Sequence, residues 1–267
     1  MLAPLLFIFL LSAAHNALAA DGPAPARSPV DVWESLIRPH HFKDVAISED
    51  EQVVKLIAPY RAEDAAFTPI RVQAMVPQTA ARYIAAIHLI VDDNPEPLAG
   101  SFHFTPASGS ADLALRLRID KYTHVRAIAV MNTGEHHMAK RFVKAQGGCA
   151  IPVNIDYKAA MADLGRMQLR TVGKRDPAQA LATQLAVHHP NFSGMQMDYK
   201  IYAVRPAHYV KHIDVFLDDQ PVLRAETGIA ISTDPSFRFF LRPGASGVLR
   251  AEIADSKGNT WSEKLEL

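Results

Sequence analysis

Short runs in which apolar and polar positions alternate recur along most of the chain. The clearest run places Leu113, Leu115, Leu117 and Ile119 at every second position. This two-residue repeat is typical of a β-strand with one face in the core. The same repeat, or a short apolar run, predicts further strands at residues 52–57, 68–76, 83–91, 125–131, 136–144, 181–187, 213–217, 237–241, 249–253 and 261–265.

Turn-forming residues separate these strands. Asp92-Asp93-Asn94-Pro95 ends one strand, and Asp255-Ser256-Lys257-Gly258-Asn259 joins the last two. Many short strands with turns between them predict an all-β protein of the sandwich type. A short helix is predicted at residues 30–36, and residues 156–167 have helix formers without alternation, which is typical of a helix or a linker.

The break in the strand pattern divides the chain into two parts of ordinary domain size. We predict two antiparallel, immunoglobulin-like β-sandwich domains, one at residues 30–150 and one at residues 165–267. A linker at residues 151–164 would join them. Such a tether makes pairing of the two domains intramolecular, at high effective concentration.

The first residues have the pattern of an export signal. Leu5–Leu11 is a short apolar run, and Ala17-Leu18-Ala19 supplies the small residues that favour cleavage after Ala19. The apolar run is too short to span a bilayer as a mature helix. We therefore predict a signal peptide at residues 1–19 and a periplasmic mature protein with no membrane segment.

Composition and charge narrow the classes of partner. Apolar residues make up 49% of the chain and charged residues 21%, as in globular proteins. The 28 lysines and arginines balance 28 aspartates and glutamates, so the formal net charge is zero. No basic field is available to hold a phosphate backbone, and nucleic acid is not predicted as a partner.

The chain has one cysteine, Cys149, in the sequence AQGGCAIP. One thiol in an exported protein cannot form an internal disulfide, so it is a buried apolar residue, a site of intermolecular pairing or a reactive group. The preceding Gly147 and Gly148 and the following Pro152 do not suit a core strand. We therefore expect an exposed thiol on a loop, with the two glycines as a flexible arm.

The surroundings of Cys149 in the sequence favour a carrier over an enzyme. No base and orienting group can be assigned beside it, so no catalytic residue is predicted. Lys144 and Arg141 precede it and are candidate cations that would lower its pKa. Arg116 and Arg118 alternate with leucines, which predicts that both lie on the solvated face of a strand.

The 12 histidines include three adjacent pairs, which raise the question of a metal site. Neighbours along a strand point to opposite faces, so an adjacent pair is a poor chelator of one ion. No metal site and no cofactor is therefore predicted. Met195 and Met197, in the run MQMD, are a weaker alternative as copper ligands; packing or loop filling is favoured for them.

Several stretches resemble the sulfur-carrier proteins of bacterial thiosulfate oxidation. Residues 70–149 resemble SoxY through AAIHLIVDDNPEPLAGSFHFTPASG (85–109), MAKRFVKA (138–145) and GGC (147–149). Residues 166–267 resemble SoxZ, chiefly through VHHPNFSG (187–194), which is similar to the family's QHPMETG. The chain thus resembles a SoxY–SoxZ fusion, similar to the SoxYZ-like carriers associated with quinoprotein dehydrogenases.

This resemblance implies two paired antiparallel sandwiches and a covalent sulfur cargo on Cys149, with Gly147 and Gly148 as the hinge of a swinging arm. It implies partner redox enzymes, either Sox-type enzymes or a quinoprotein dehydrogenase, that act on the cargo. Two features depart from the family. The motif reads Gly-Gly-Cys-Ala-Ile instead of Gly-Gly-Cys-Gly-Gly, and another domain follows the cysteine, so the arm would be tethered at both ends.

Two functions follow from these observations. The first is a periplasmic, non-enzymatic carrier that holds a sulfur-containing group on Cys149. The alternative is a non-covalent accessory or metallochaperone module of a periplasmic quinoprotein dehydrogenase. A thiol-dependent enzyme is the least favoured reading, because no base or oxyanion site can be assigned.

Overall fold

Alternating burial along the strands produces two sheets, each with an apolar face. Leu113–Leu117 buries its three leucines and leaves the two residues between them half-exposed. The computed structural model describes residues 31–151 and 157–267, and residues 32–267 belong to one compact unit. The predicted signal peptide and part of the predicted linker lie outside the described residues.

The larger sheet has nine strands in the order β1-β8-β7-β4-β5-β14-β13-β16-β17. Only β1 and β8 pair in parallel; the other neighbours are antiparallel. The nine strands are β1 (Ile47–Glu49), β4 (Ile84–Val91), β5 (Leu98–Phe104), β7 (Thr123–Met131), β8 (His136–Val143), β13 (Val210–Leu217), β14 (Gln220–Thr227), β16 (Val248–Asp255) and β17 (Thr260–Glu266).

The smaller sheet has six strands in the order β2-β3-β6-β15-β10-β9. They are β2 (Val54–Ile57), β3 (Thr68–Ala74), β6 (Leu113–Leu117), β9 (Met167–Thr171), β10 (Leu181–Val187) and β15 (Ser236–Leu241). A two-stranded ribbon adds β11 (Met197–Asp198) and β12 (Ala203–Val204). The helical elements are a π-turn at Trp33–Ile37, α1 (Arg38–His41), a 3₁₀ turn at Pro106–Ser108 and α2 (Tyr157–Ala162). The all-β sandwich prediction is confirmed.

Both sheets run across the middle of the chain. In the larger sheet β5 pairs with β14, from Phe104 opposite Leu223 to Gly100 opposite Thr227. In the smaller sheet β6 meets β15 at Ala114 and Arg238. One apolar cluster contains buried residues of both halves. The two halves therefore share their sheets and their core, and residues 30–150 and 165–267 are joined through backbone pairing as well as through the chain.

The strands that join the halves in the larger sheet are two that the alternation pattern did not predict. β5 has the sequence LAGSFHF, in which Gly100 and Ser101 interrupt the apolar positions. β14 begins with Gln220 and Pro221, which read as part of a turn. Their strand state is imposed by neighbours on both sides, which is a tertiary effect that local propensity does not contain.

The N-terminal helical turns cover part of the outer face of the larger sheet. Trp33, Ile37 and Phe42 form a second buried cluster with Ile90 and Ile128. The predicted helix at residues 30–36 is thus present, shifted towards the C-terminus. Among the described residues, no helix has the length and apolar character needed to cross a membrane.

The shared core predicts that both halves unfold together. Phe237 is 1% exposed, and its ring centroid lies 6.2 Å from that of Phe102 in the other half. We expect Phe237→Ala to lower the free energy of unfolding by about 3–5 kcal/mol. The two tryptophans, Trp33 and Trp261, report the first and second halves separately when the other is replaced by phenylalanine.

Urea unfolding followed through either tryptophan should give coincident transitions, in the parent and in Phe237→Ala. Tyr199→Ala is the matched control, because Tyr199 is 65% exposed and its loss should change stability by less than about 0.5 kcal/mol. Two separate midpoints would contradict the shared core.

Candidate functional site

Cys149 lies in a tight turn that docks on the end of strand β6. The Gly147 N–H donates to the Asp120 carbonyl at 2.7 Å, and the Gly148 N–H donates to the Ile119 carbonyl at 3.0 Å. The Ala150 N–H then closes the turn by donating to the Gly147 carbonyl at 3.0 Å. The predicted flexible arm is therefore a hydrogen-bonded turn in this structure.

The two glycines serve different backbone needs in this turn. Gly147 has φ +75°, in the left-handed region that favours glycine, with open space where a side chain would begin. A Cβ on Gly148 would lie 2.2 Å from the carbonyl oxygen of Ala65 and 2.6 Å from that of Ile119. Gly148 therefore permits a close approach of three backbone segments.

The thiol of Cys149 is buried, with no exposed surface, so the prediction of an exposed thiol is wrong. The reason is tertiary: the loop around Ala65 and a loop of the second half close over a segment whose own sequence is typical of a surface loop. Burial, assisted by the charge of Asp120, raises the pKa of Cys149 to about 12, although Arg118 opposes this shift. At neutral pH the docked group is a thiol, which is a poor nucleophile.

The second half of the chain contributes directly to this turn. Ser193 Oγ donates to the carbonyl oxygen of Cys149 at 2.5 Å, across 44 residues of sequence. Ser193 is itself held by Gln196, whose Oε1 accepts from the Ser193 N–H at 3.0 Å. Ser193 belongs to VHHPNFSG, the run that carried the resemblance in this half, but nothing in the sequence indicated that it would meet Cys149.

Arg118 is the cation that acts on the thiol, and it is not on a solvated face as predicted. It is 1% exposed, because strand β6 ends at Leu117 and the segment 229–233 covers the next residue. Arg116 is half-exposed and donates to the Asp234 carbonyl at 2.9 Å. The alternation pattern correctly predicted exposure at Arg116, which lies within β6. It was wrong at Arg118, which lies beyond the end of that strand.

The two cations that precede Cys149 in the sequence have other partners. Lys144 Nζ lies 4.8 Å from the centre of the Tyr60 ring, and Arg141 pairs with Glu51. Lys144 also lines an open depression of about 440 Å³ with Gln146 and Ile151, beside the docked turn. Residues on either side of the turn, Gln146 and Ile151, line this depression, whereas Cys149 does not.

Three residues of the second half form a buried group that offers metal-ligand atoms: His189, His208 and Asp255. His208 Nε2 lies 2.6 Å from Asp255 Oδ2, and His189 Nε2 lies 3.7 Å from the same oxygen. The sequence did not indicate this group, because 66 residues separate its first and last members. Adjacent histidines do diverge as expected: His188 is partly exposed beside Asp234, whereas His189 is fully buried.

Hydrogen bonding around His189 favours a structural role for this group. The Asn191 N–H donates to His189 Nδ1 at 3.0 Å, so in the neutral ring the proton lies on Nε2, the atom that faces Asp255. A protonated nitrogen is not a metal ligand. Asp255 also accepts from the Lys257 N–H and from Asn259, so it acts as the common acceptor of the group.

The charge of Asp255 is held by these donors. Burial alone would raise its pKa, but the hydrogen bonds from Asn259 and His208 outweigh burial and lower the pKa to about 2. Met197 is exposed on the ribbon formed by β11 and β12, and it is not a member of the His189 group. Copper binding through Met195 and Met197 stays the weaker alternative to packing or loop filling.

The docked turn predicts a contrast between its two glycines. Gly148→Ala should raise the free energy of the docked turn by about 3 kcal/mol, because its Cβ would clash with two carbonyl oxygens. Gly147→Ala should cost about 1 kcal/mol through its positive φ alone. Alkylation of Cys149 by iodoacetamide under native conditions should therefore accelerate at least about tenfold more in Gly148→Ala than in Gly147→Ala. Equal rates in the two variants would mean that the turn is not docked in solution.

Burial of His189 predicts acid sensitivity of folding. Burial, assisted by nearby His208, lowers its pKa from 6.5 to about 4. Between pH 6.5 and pH 4 the unfolded chain therefore binds a proton at His189 that the folded state does not bind. The free energy of unfolding is unaffected by this group above pH 6.5, and it falls as the pH drops towards 4. His189→Gln should reduce the fall in unfolding free energy between pH 7 and pH 4 by about 2–3 kcal/mol.

Urea denaturation at the two pH values measures this fall. His212→Gln on β13 is the matched control, because it replaces a half-exposed histidine outside the buried group. An unchanged pH dependence in His189→Gln would contradict a neutral, buried His189.

Comparisons with known proteins bear on both halves of the chain. Residues 38–149 match the family described as sulfur oxidation protein SoxY, and the match ends at Cys149. Residues 169–266 match sulphur oxidation protein SoxZ. No curated protein matches the chain at a significant level.

Solved structures give only partial likenesses. A superoxide reductase (neelaredoxin) from Ignicoccus hospitalis has a TM-score of 0.32 and 24% identity, covering 34% of this chain and 79% of its own. A β-glycosidase from Bacteroides vulgatus has a TM-score of 0.26 and 9% identity, covering 82% of this chain and 25% of its own. Neither likeness supports an argument about function.

The two family matches, in tandem, agree with the shared sheets and with the contact between Ser193 and Cys149. SoxY and SoxZ proteins are carriers that work as a pair with partner Sox enzymes. The chain belongs to the SoxY and SoxZ families of sulfur-oxidation carrier proteins, with both domains fused in one polypeptide.

Proposed function

We propose that this protein is a periplasmic carrier that holds a sulfur-containing group covalently on Cys149 and presents it to separate redox enzymes. The observation that carries the proposal is the position of the only cysteine. Cys149 is the last residue of the SoxY match, and it follows Gly147 and Gly148 in a turn that both halves of the protein hold.

The turn docks against Ile119, Asp120 and Ser193, a position that we call its seat. Because the thiol is buried there, the turn must leave the seat before the sulfur can react. A thiol with a pKa of about 12 and no exposed surface is not accessible to a substrate. Among the described residues, the docked turn is held to the rest of the protein by the Gly147 and Gly148 N–H groups and by Ser193 Oγ. Local opening of such a segment is less unfavourable than global unfolding, so an undocked, reactive state is accessible.

In the undocked state water restores the thiol's ordinary acidity, near a pKa of 8.5. Thiosulfate is the cargo that the family suggests. Its outer sulfur would join the Cys149 sulfur, the thiol proton would be released, and two electrons would pass to a partner redox enzyme. Return of the turn to its seat would then shelter the loaded sulfur from water and from other thiols.

The partner enzymes would meet a loop instead of a free tail. Folded segments precede and follow Cys149 in the chain, so an opened loop stays tethered at both ends. The sulfur can therefore reach only the surface beside the turn. The depression lined by Lys144 and Gln146 lies there. A partner with a shallow active site suits this geometry, and a quinoprotein dehydrogenase or a Sox-type enzyme is the proposed class.

A second candidate function is a non-covalent accessory module of a periplasmic quinoprotein dehydrogenase. The burial of the Cys149 thiol favours it, because a packed cysteine needs no cargo. The two functions differ in what happens to the Cys149 sulfur in the cell, and mass spectrometry separates them.

The proposal predicts a loaded cysteine. Protein isolated from the periplasm of its host during growth on a reduced sulfur compound should show a mass increase that reductant removes. The size of the increase identifies the cargo. In Cys149→Ser the increase should be absent while the protein stays folded, with a lower unfolding midpoint because a hydroxyl replaces a buried thiol.

Isolation without the increase under the same growth conditions, together with unchanged growth of the Cys149→Ser strain, would reject the carrier and leave the accessory module. Met195→Leu is the matched control on a residue outside the turn. Its mass increase should equal that of the parent protein.

A further inference from the structure

Arg118 is a buried guanidinium that, within the described ranges, donates its hydrogen bonds to neutral oxygens. Nη1 donates to the carbonyl oxygens of Ile229, at 3.3 Å, and Ile231, and Nη2 donates to Thr233 Oγ1 at 2.9 Å. Its Nε is buried and has no hydrogen-bond partner in the described part of the chain. The Nε–H donor of this cation is therefore unpaired among these residues.

Arg118 also lacks a counter-charge within the described residues, where no carboxylate forms an ion pair with it. Arg126, the other deeply buried arginine, shows the contrast, because Asp92 binds it at 2.8 Å with both side chains about 5% exposed. A buried charge without a partner is strongly unfavourable, and a buried charge is normally paired. The uncompensated charge of Arg118 needs an explanation that packing does not provide.

Cys149 belongs to the turn that packs next to Arg118 in the fold. The residue after Arg118, Ile119, accepts the Gly148 N–H at 3.0 Å, so the turn that carries Cys149 docks beside Arg118. Burial lowers the pKa of Arg118 to about 10, and a negative charge on Cys149 acts in the opposite direction. Asp120 is the other charged group that acts on the sulfur, and it disfavours an anion there.

We propose that Arg118 is a positioning residue that supplies the internal counter-charge for an anionic group on the Cys149 sulfur. The seat therefore retains an anionic adduct, such as a thiosulfate joined through its outer sulfur, more firmly than a neutral adduct of similar size. This inference rests on the proposed function, since it assigns the charge of the group that Cys149 carries. It also gives a reason for the turn to return after loading, because the loaded sulfur brings the charge that the seat lacks.

Two adducts on Cys149, one anionic and one neutral, test this inference on the full chain. Tetrathionate supplies the anion: the thiolate attacks a central sulfur, the central S–S bond breaks, thiosulfate leaves, and an S-thiosulfate with one negative charge remains. 2-Hydroxyethyl methanethiosulfonate supplies the neutral control: the thiolate attacks the sulfur that carries the hydroxyethyl group, the S–S bond to the sulfonyl sulfur breaks, methanesulfinate leaves, and a neutral disulfide remains. Both reactions are performed in urea, which exposes the thiol, and the protein is refolded without reagent.

Thermal unfolding of the two adducts gives the readout. In the parent protein the anionic adduct should melt about 4 °C above the neutral adduct, as a charge-assisted interaction would produce. In Arg118→Gln this difference should vanish, and in Arg118→Lys most of it should remain because the charge is kept. Arg116→Gln, two residues away on the same strand and half-exposed, should keep the full difference.

An equal difference in the parent and in Arg118→Gln would overturn the inference. So would an anionic adduct that melts below the neutral one in the parent protein, a comparison that needs no variant. If Arg118→Gln does not fold, the parent protein still decides, because an anionic adduct that melts no higher than the neutral adduct overturns the inference. Because the reagents load Cys149 chemically, this result is independent of whether the host loads it, so failure of the carrier proposal and failure of the Arg118 role are distinguishable.

Discussion

The backbone pairing of β5 with β14 is the constraint on which the rest of the structure depends. It joins the two halves of the chain in one nine-stranded sheet, and with the pairing of β6 and β15 it closes one apolar core around Phe102 and Phe237. Every contact between the cysteine turn and the second half requires this arrangement. Without it, Ser193 would not lie near Cys149, and residues 229–233 would not cover Arg118.

The shared sheets explain why a sequence typical of a mobile loop forms a buried seat. Two glycines, one required for a left-handed backbone and one for close approach, let the chain turn against the loop at Ala65. Ser193 then holds the Cys149 carbonyl from the other half. Burial makes the thiol unreactive in this state, so any carrier chemistry belongs to an opened state, and the docked state protects the sulfur.

Electrostatics distinguishes this seat from an ordinary core. The chain compensates buried Arg126 with Asp92, and it holds the charge of Asp255 with His208 and Asn259. In the described part of the chain Arg118 donates to neutral acceptors alone, and an anionic sulfur at Cys149 is the counter-charge that we propose for it. Hydrogen bonding also disfavours a metal at His189, where a backbone N–H fixes the proton on the nitrogen that faces Asp255.

Local sequence determined much of the architecture. Alternation predicted most strands, such as Leu113–Leu117. Successive side chains of a strand point to opposite faces, so burial of one face produces a two-residue repeat in the sequence. The GGC motif identified the candidate residue, and the family resemblance was carried by contiguous runs. The tertiary structure alone decided the strand state of β5 and β14, the burial of Cys149 and Arg118, and the meeting of His189, His208 and Asp255. Each of these depends on segments tens of residues apart, and pairing, desolvation and charge compensation between such segments have no local signal in the sequence.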